Sequence, residues 1–253
     1  MPSPSPAISP YAGLSPSVAD LVVVDGVVRY RDETQRRRKV AICGSGGVRQ
    51  MPWEDPTYEC WSLNNFWQTS RDRAGRIAAS RWFEQHQIVP DVTGPRAGQI
   101  IQNAHDMQWI RECPVPLYTT EPFPENPRAV VWPVAAMARK YRHYFTCTFA
   151  YQICQAIDEG FEEIRVCGLE LVLGSKREAT VEAACVAYWL GLAEGRGIRL
   201  DITRSLAHNL DAKGYPDPQF LLYHPFHYGH DYWREADFTK QLVEHWDAKP
   251  TAV

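Results

Sequence analysis

No stretch of the chain approaches the ~20 apolar residues that a membrane-spanning helix needs. No basic segment followed by an apolar one opens it, so neither a membrane partner nor a signal peptide is expected. An excess of positive charge is also missing. Lys and Arg together number 27 against 30 Asp and Glu, a formal net charge of −3. That excludes a general electrostatic grip on nucleic acid and leaves only a local basic patch. The seven cysteines form no Cys-x-x-Cys pair and are odd in number, and several sit in apolar runs. They read as reduced, buried thiols of a cytoplasmic protein, neither a disulfide frame nor a zinc site. No Asp-x-Asp pair occurs, so no metal is expected. What is present is ordinary globular usage: 45% hydrophobic and 23% charged residues, which excludes wholesale disorder. Nine Trp, twelve Tyr and nine Phe supply flat, partly polar surfaces suited to cores and to sugar or base stacking.

Three regions follow from the patterning. Residues 1–38 are a Ser/Pro-rich arm followed by two β-branched runs flanking Asp25-Gly26, a hairpin signal. The run Arg36-Arg37-Arg38 then reads as a solvated linker, in preference to a phosphate-binding patch. Residues 39–206 alternate strands with helices. Strands are expected at Lys39 to Cys43, Tyr58 to Leu63, Arg81 to His86, Pro116 to Thr119, Ala129 to Trp132, Ile164 to Cys167 and Ile198 to Ile202. From Thr148, the apolar residues Phe149, Ile153 and Ile157 mark a helix closed by Gly160, and 178–194 form a second one. This predicts an α/β, Rossmann-like fold with a mainly parallel sheet and helices on both faces. Residues 207–253 are an aromatic-rich annex with a closing helix.

In such a sheet, ligands bind beyond the carboxyl ends of the strands. The turn Gly44-Ser45-Gly46-Gly47 follows the first strand of the sheet, where glycines permit close backbone approach to an anionic ligand. Arg49 in place of a third glycine breaks the dinucleotide fingerprint, and no Gly-Lys-Ser/Thr follows to make a P-loop. Asn64 and Asn65 end the second strand and offer amide donors and acceptors to a sugar, a phosphate or a base edge. Thr146, Cys147 and Thr148 open a helix, where they can cap the free N–H groups or face a phosphate. Gly168 and Glu170 follow a later strand at the same edge.

A base for the chemistry is sought among the histidines. Strand alternation puts Glu84 and His86 on one side, and a carboxylate beside a His fixes its tautomer and raises its basicity. Glu182, and the annex histidines His224, His227 and His230, are further candidates. Pro225 and Gly229 break any helix that would set the annex trio as a metal site.

Three segments together carry a family resemblance: Val40-Ala41-Ile42-Cys43-Gly44-Ser45-Gly46; Cys60-Trp61-Ser62-Leu63-Asn64-Asn65-Phe66; and Phe145-Thr146-Cys147-Thr148 leading on to Gly160-Phe161-Glu162-Glu163-Ile164 and Cys167-Gly168-Leu169-Glu170. They resemble the Rossmann-like core of small bacterial sialyltransferases and the related pterin diphosphokinase-like proteins, over about residues 39–205. Arg81 to His86 and Gly191 to Ile198 are similar to segments of phage-encoded proteins. The resemblance implies that Gly44, Ser45, Gly46, Asn64, Thr146 and Cys147 line the pocket for a nucleotide-sugar. Ser45 stands where the family has Asn, Cys147 where it has Ser, and Glu170 where it has Asp. The stretch 171–180 lacks the family's lid histidine, which weighs against sialic acid as the donor sugar. The expectation is therefore a glycosyltransferase-like enzyme. It moves a group from a nucleotide-activated sugar to an acceptor hydroxyl and needs no cofactor. A modified DNA base is one acceptor that the phage kinship suggests. The alternatives are a diphosphokinase or nucleotidyl transferase, which would need Mg²⁺, and a non-catalytic nucleotide-binding module.

Overall fold

The computed structural model describes residues 13–44, 48–64, 66–86, 104–169 and 181–202. Strands β1 (Leu21–Val24) and β2 (Val27–Tyr30) pair antiparallel, with Leu21 opposite Tyr30. Asp25 and Gly26 between them both have positive φ, at 52° and 72°. A two-residue hairpin turn requires that left-handed pair, and Asp-Gly tolerates it.

Seven strands form the main sheet: β3 (Lys39–Cys43), β4 (Tyr58–Leu63), β5 (Arg81–Glu84), β6 (Leu117–Thr119), β7 (Ala129–Val131), β8 (Glu163–Cys167) and β9 (Arg199–Asp201). All pairings are parallel, in the order β7-β6-β5-β4-β3-β8-β9. The chain steps outward from β3 to β7, then returns to place β8 on the free side of β3. Connections from β3 and β8 therefore leave in opposite directions. The crevice between their carboxyl ends is the topological switch point of the sheet.

Burial on both faces explains the near-continuous apolar runs in β3 and β4. On one face Val40, Ile42, Trp61, Leu63, Phe83 and Val166 pack against α2 (Val134–Lys140), α3 (Thr148–Asp158) and α4 (Ala183–Gly195). On the other, Ala41, Cys43, Cys60, Trp82 and Leu117 pack against α1 (Ala104–Glu112), through Met107, Trp109 and Ile110, and against Trp53 and Trp67. Helices thus cover both faces, as the alternation of elements predicts.

α3 ends as expected. Gly160 has φ +73°, and the N–H of Phe161 returns to the Ala156 carbonyl at 3.1 Å, the closing bond of a helix C-terminus. Three details differ from the sequence reading. β5 stops at Glu84, two residues before His86. α1 and α2 add helices where none was expected. The arginine run is solvent-exposed at Arg36 and Arg38, as the linker reading expects, but its side chains are bonded to the protein. Arg37 Nη1 donates to the carbonyls of Ser17 at 2.6 Å and Tyr58 at 2.5 Å, Arg36 donates to the Glu159 carbonyl, and Arg38 pairs with Glu162 at 3.1 Å. Backbone carbonyls at the amino edge of the sheet need donors, and guanidinium groups supply them.

Among the described residues, no helix is long and apolar enough to cross a membrane. All seven cysteines are free, and six are buried.

Candidate active site

Gly44 sits at the switch point. Its N–H donates to the Cys167 carbonyl at 2.7 Å, continuing the β3–β8 ladder past the strand end. A Cβ at this position would stand 2.2 Å from the carbonyl oxygen of Gly168, itself at φ +66°. Only glycine permits that approach. Because its N–H is engaged, Gly44 serves the site by bringing the two chain crossings together and not as a phosphate donor.

Asn64 ends β4 in the left-handed conformation, φ +48°. Its N–H donates to the Phe83 carbonyl at 3.0 Å, and its own carbonyl accepts from Trp82 Nε1 at 2.9 Å. With the backbone locked on both sides, the side-chain Oδ1 is buried without a hydrogen-bond partner. An unpaired buried acceptor is costly, about 1–3 kcal/mol, unless a ligand or water meets it.

The segment before α3 is clamped by aromatics. Phe145 stacks on Trp189 of α4 with centroids 5.0 Å apart and meets Trp132 edge-on. Trp189 Nε1 donates to the Tyr144 carbonyl at 2.6 Å. This fixes Thr146, whose Oγ1 is buried and unpartnered. The N-cap residue of α3 is Cys147, in extended conformation and with no side-chain cap bond. Neither threonine caps the helix; the Ala150 N–H at its start donates to the Cys147 carbonyl at 3.1 Å. Burial pushes the Cys147 thiol up to about 12, which removes it as a thiolate nucleophile.

Glu84 and His86 pair as alternation predicts. His86 Nδ1 lies 2.8 Å from Glu84 Oε1, and the His86 backbone N–H donates to the same oxygen at 3.1 Å. The Glu84 side chain is 1% exposed and the His86 ring 37%, so the carboxylate anchors the ring from inside. The Glu84 hydrogen bond raises the His86 pKa above its ordinary value against the opposing effect of burial, and the charges of Glu84 and Glu182 add to it. Glu182 closes the turn entering α4, and its charge acts on Cys147 as well as on His86. The Glu182 charge thus reaches both the end of β5 and the start of α3.

Two glutamines join this edge: Gln85, which the sequence places with His86 beyond a strand's carboxyl end, and Gln152, which motif reading did not select. Gln85 Nε2 donates to the Tyr118 carbonyl at 3.3 Å, while its Oε1 is buried and unpartnered. Gln152 Nε2 donates to the Ser62 carbonyl at 3.3 Å, and its Oε1 is likewise unpartnered. Gln152 stands one turn after Thr148, a polar residue in the buried stripe of α3, and that is the signal that could have marked it. Ser45, Gly46, Gly47, Asn65, Glu170, His224, His227 and His230 lie outside the described residues. No cluster of metal-ligating side chains occurs among the described residues.

No family model matches the chain, and no curated protein matches it. Among solved structures it is similar to an X-ray structure of a variant of the alpha-2,3/8-sialyltransferase CstII. The identity is 12% and the TM-score 0.35, over 64% of this chain and 79% of that one.

Proposed function

We propose that this chain is a transferase that moves a sugar from a nucleotide-activated donor to an acceptor hydroxyl. The observation that carries the reading is the convergence at one sheet edge of a carboxylate-anchored histidine with unpartnered buried polar atoms. Those atoms are Asn64 Oδ1 and Thr146 Oγ1, beside a glycine-lined switch point. A neutral His86 with its proton held on Nδ1 by Glu84 carries its lone pair on Nε2, the arrangement a general base needs. In the reaction, Nε2 takes the acceptor hydroxyl proton as that oxygen bonds to the anomeric carbon. The bond from that carbon to the donor phosphate oxygen breaks, and the nucleotide leaves with the electron pair. The positive end of the α3 dipole offsets its charge, and the Asn64 amide orients the donor.

The test is a thermal-shift screen of nucleotides and nucleotide-sugars, followed by turnover scored as free nucleotide release, with and without EDTA. A stabilising nucleotide-sugar and EDTA-insensitive release are expected. Stabilisation without release would leave a binding module, and Mg²⁺-dependent diphosphate or nucleotidyl transfer would replace the glycosyl reading.

A further inference from the structure

A second cleft, of about 340 Å³, is lined by the β1–β2 hairpin, Arg81 at the start of β5, Tyr118 of β6, Val130 and Val131 of β7, and the C-terminus of α3. That volume is in the range of small-molecule sites. Its floor is a buried ion network. Arg81, 1% exposed, uses all five of its N–H donors. Nε and Nη2 reach Glu59 at 2.7 and 3.1 Å, Nη1 reaches Tyr118 Oη at 3.1 Å and Glu159 at 2.5 Å, and Nη2 also reaches Glu159 at 2.7 Å. No donor of Arg81 is left for a ligand. Beside it, Gln155 is 7% exposed and donates Nε2 to Glu159 at 2.7 Å, while its Oε1 is buried without a partner. The floor thus offers the Gln155 Oε1 acceptor beside an arginine whose donors are all taken.

Glu33, Asp158 and Glu159 line the cleft with Arg29, Arg36 and Arg81. Just outside the lining, Glu59 is bonded to Arg81 and Lys140 is ion-paired with Asp158 at 2.5 Å. Neither a free anion nor a free cation gains from entering. The remaining wall, Val28, Val130 and Met137, is apolar. An acceptor-lined floor against an apolar wall at zero net charge suits a ring with hydroxyl donors on one side and C–H groups on the other. We infer that this cleft binds a neutral saccharide at a site separate from the candidate active site, with one of its hydroxyls donating to Gln155 Oε1.

The experiment is saturation-transfer NMR on the full chain with glucose, galactose, N-acetylglucosamine and lactose, with inorganic phosphate and guanidinium chloride as charged probes in parallel thermal-shift titrations. Saturation transfer to at least one saccharide is expected, weakened at least ten-fold in Gln155→Leu and in Val27→Trp. Val27 is 49% exposed on the cleft wall, so its variant fills the opening without touching the core. Circular dichroism confirms that each variant is folded. If Gln155→Leu does not fold, Val27→Trp alone decides. No transfer to any saccharide, transfer unchanged in folded Val27→Trp, or a response to phosphate or guanidinium alone would overturn the assignment.

Discussion

The α-carbon of Gly44 faces the Gly168 carbonyl so closely that a single added methyl would stand 2.2 Å from the oxygen. The obstacle is backbone on both sides, so nothing flexible can give way. Gly44→Ala is expected to destabilise the fold by about 1–3 kcal/mol or more, the cost of overpacking. Denaturant unfolding should show a lower midpoint at unchanged slope. A variant of wild-type stability would show that the switch point is looser than drawn.

Because Glu84 holds the His86 ring, the imidazole should titrate above about 6.5, the ordinary value. As a general base it must be neutral, so the acid limb of kcat/KM should fall at that raised value, and Glu84→Gln should move it down. His86→Asn should lower turnover by about 10²–10⁴-fold with donor binding retained. For stability the sign is opposite. A raised folded pKa contributes stability that is full below the unfolded value and lost as pH rises through the folded one. NMR titration of the His86 ring protons measures the midpoint directly.

Arg81 and Glu59 are both fully buried, at 1% and 0% side-chain exposure. Burial alone would raise the Glu59 pKa, but Arg81 reverses it and holds the carboxyl below its usual range. Replacing Arg81 with Met leaves that charge uncompensated and should cost about 3–5 kcal/mol. Glu59→Gln should cost less and should flatten the loss of wild-type stability at low pH. A depressed carboxylate stabilises above its unfolded pKa and ceases to as pH falls through the folded one. Equal losses in both variants would contradict this account.

Thiol labelling at pH 8 should be slow in the native protein. Cys147 is the one cysteine not fully buried, and its thiol is pushed up to about 12. Denaturation should release all seven thiols to the reagent. Fast native labelling of two or more would show the core to be open.

β3, β4 and the closing turn of α3 were legible because their signals are local: apolar runs bounded by turns, and a glycine at a helix end. The Glu84–His86 pair was legible from alternation alone, although β5 stops before the histidine. α1 spans nine residues and α2 seven, too short for a 3.6-residue period to stand out. The bonds of Arg36 and Arg37 were not legible because their acceptors are carbonyls remote in sequence, at Ser17, Tyr58 and Glu159. The reach of the Glu182 charge to His86 is a tertiary fact: it depends on where α4 begins relative to the end of β5.

The pairing of Cys43 with Cys167 puts two strands side by side that are synthesised far apart. Until β8 emerges from the ribosome, one flank of β3 is an open edge of unpaired, apolar backbone. Such an edge recruits other strands and favours aggregation. The slowest contact to form is then the one that joins the two halves of the cleft, since long loops must close before non-local pairing is rewarded. Chains released before residue 167 should accumulate as aggregates, so the site can be completed only late in the life of the nascent polypeptide.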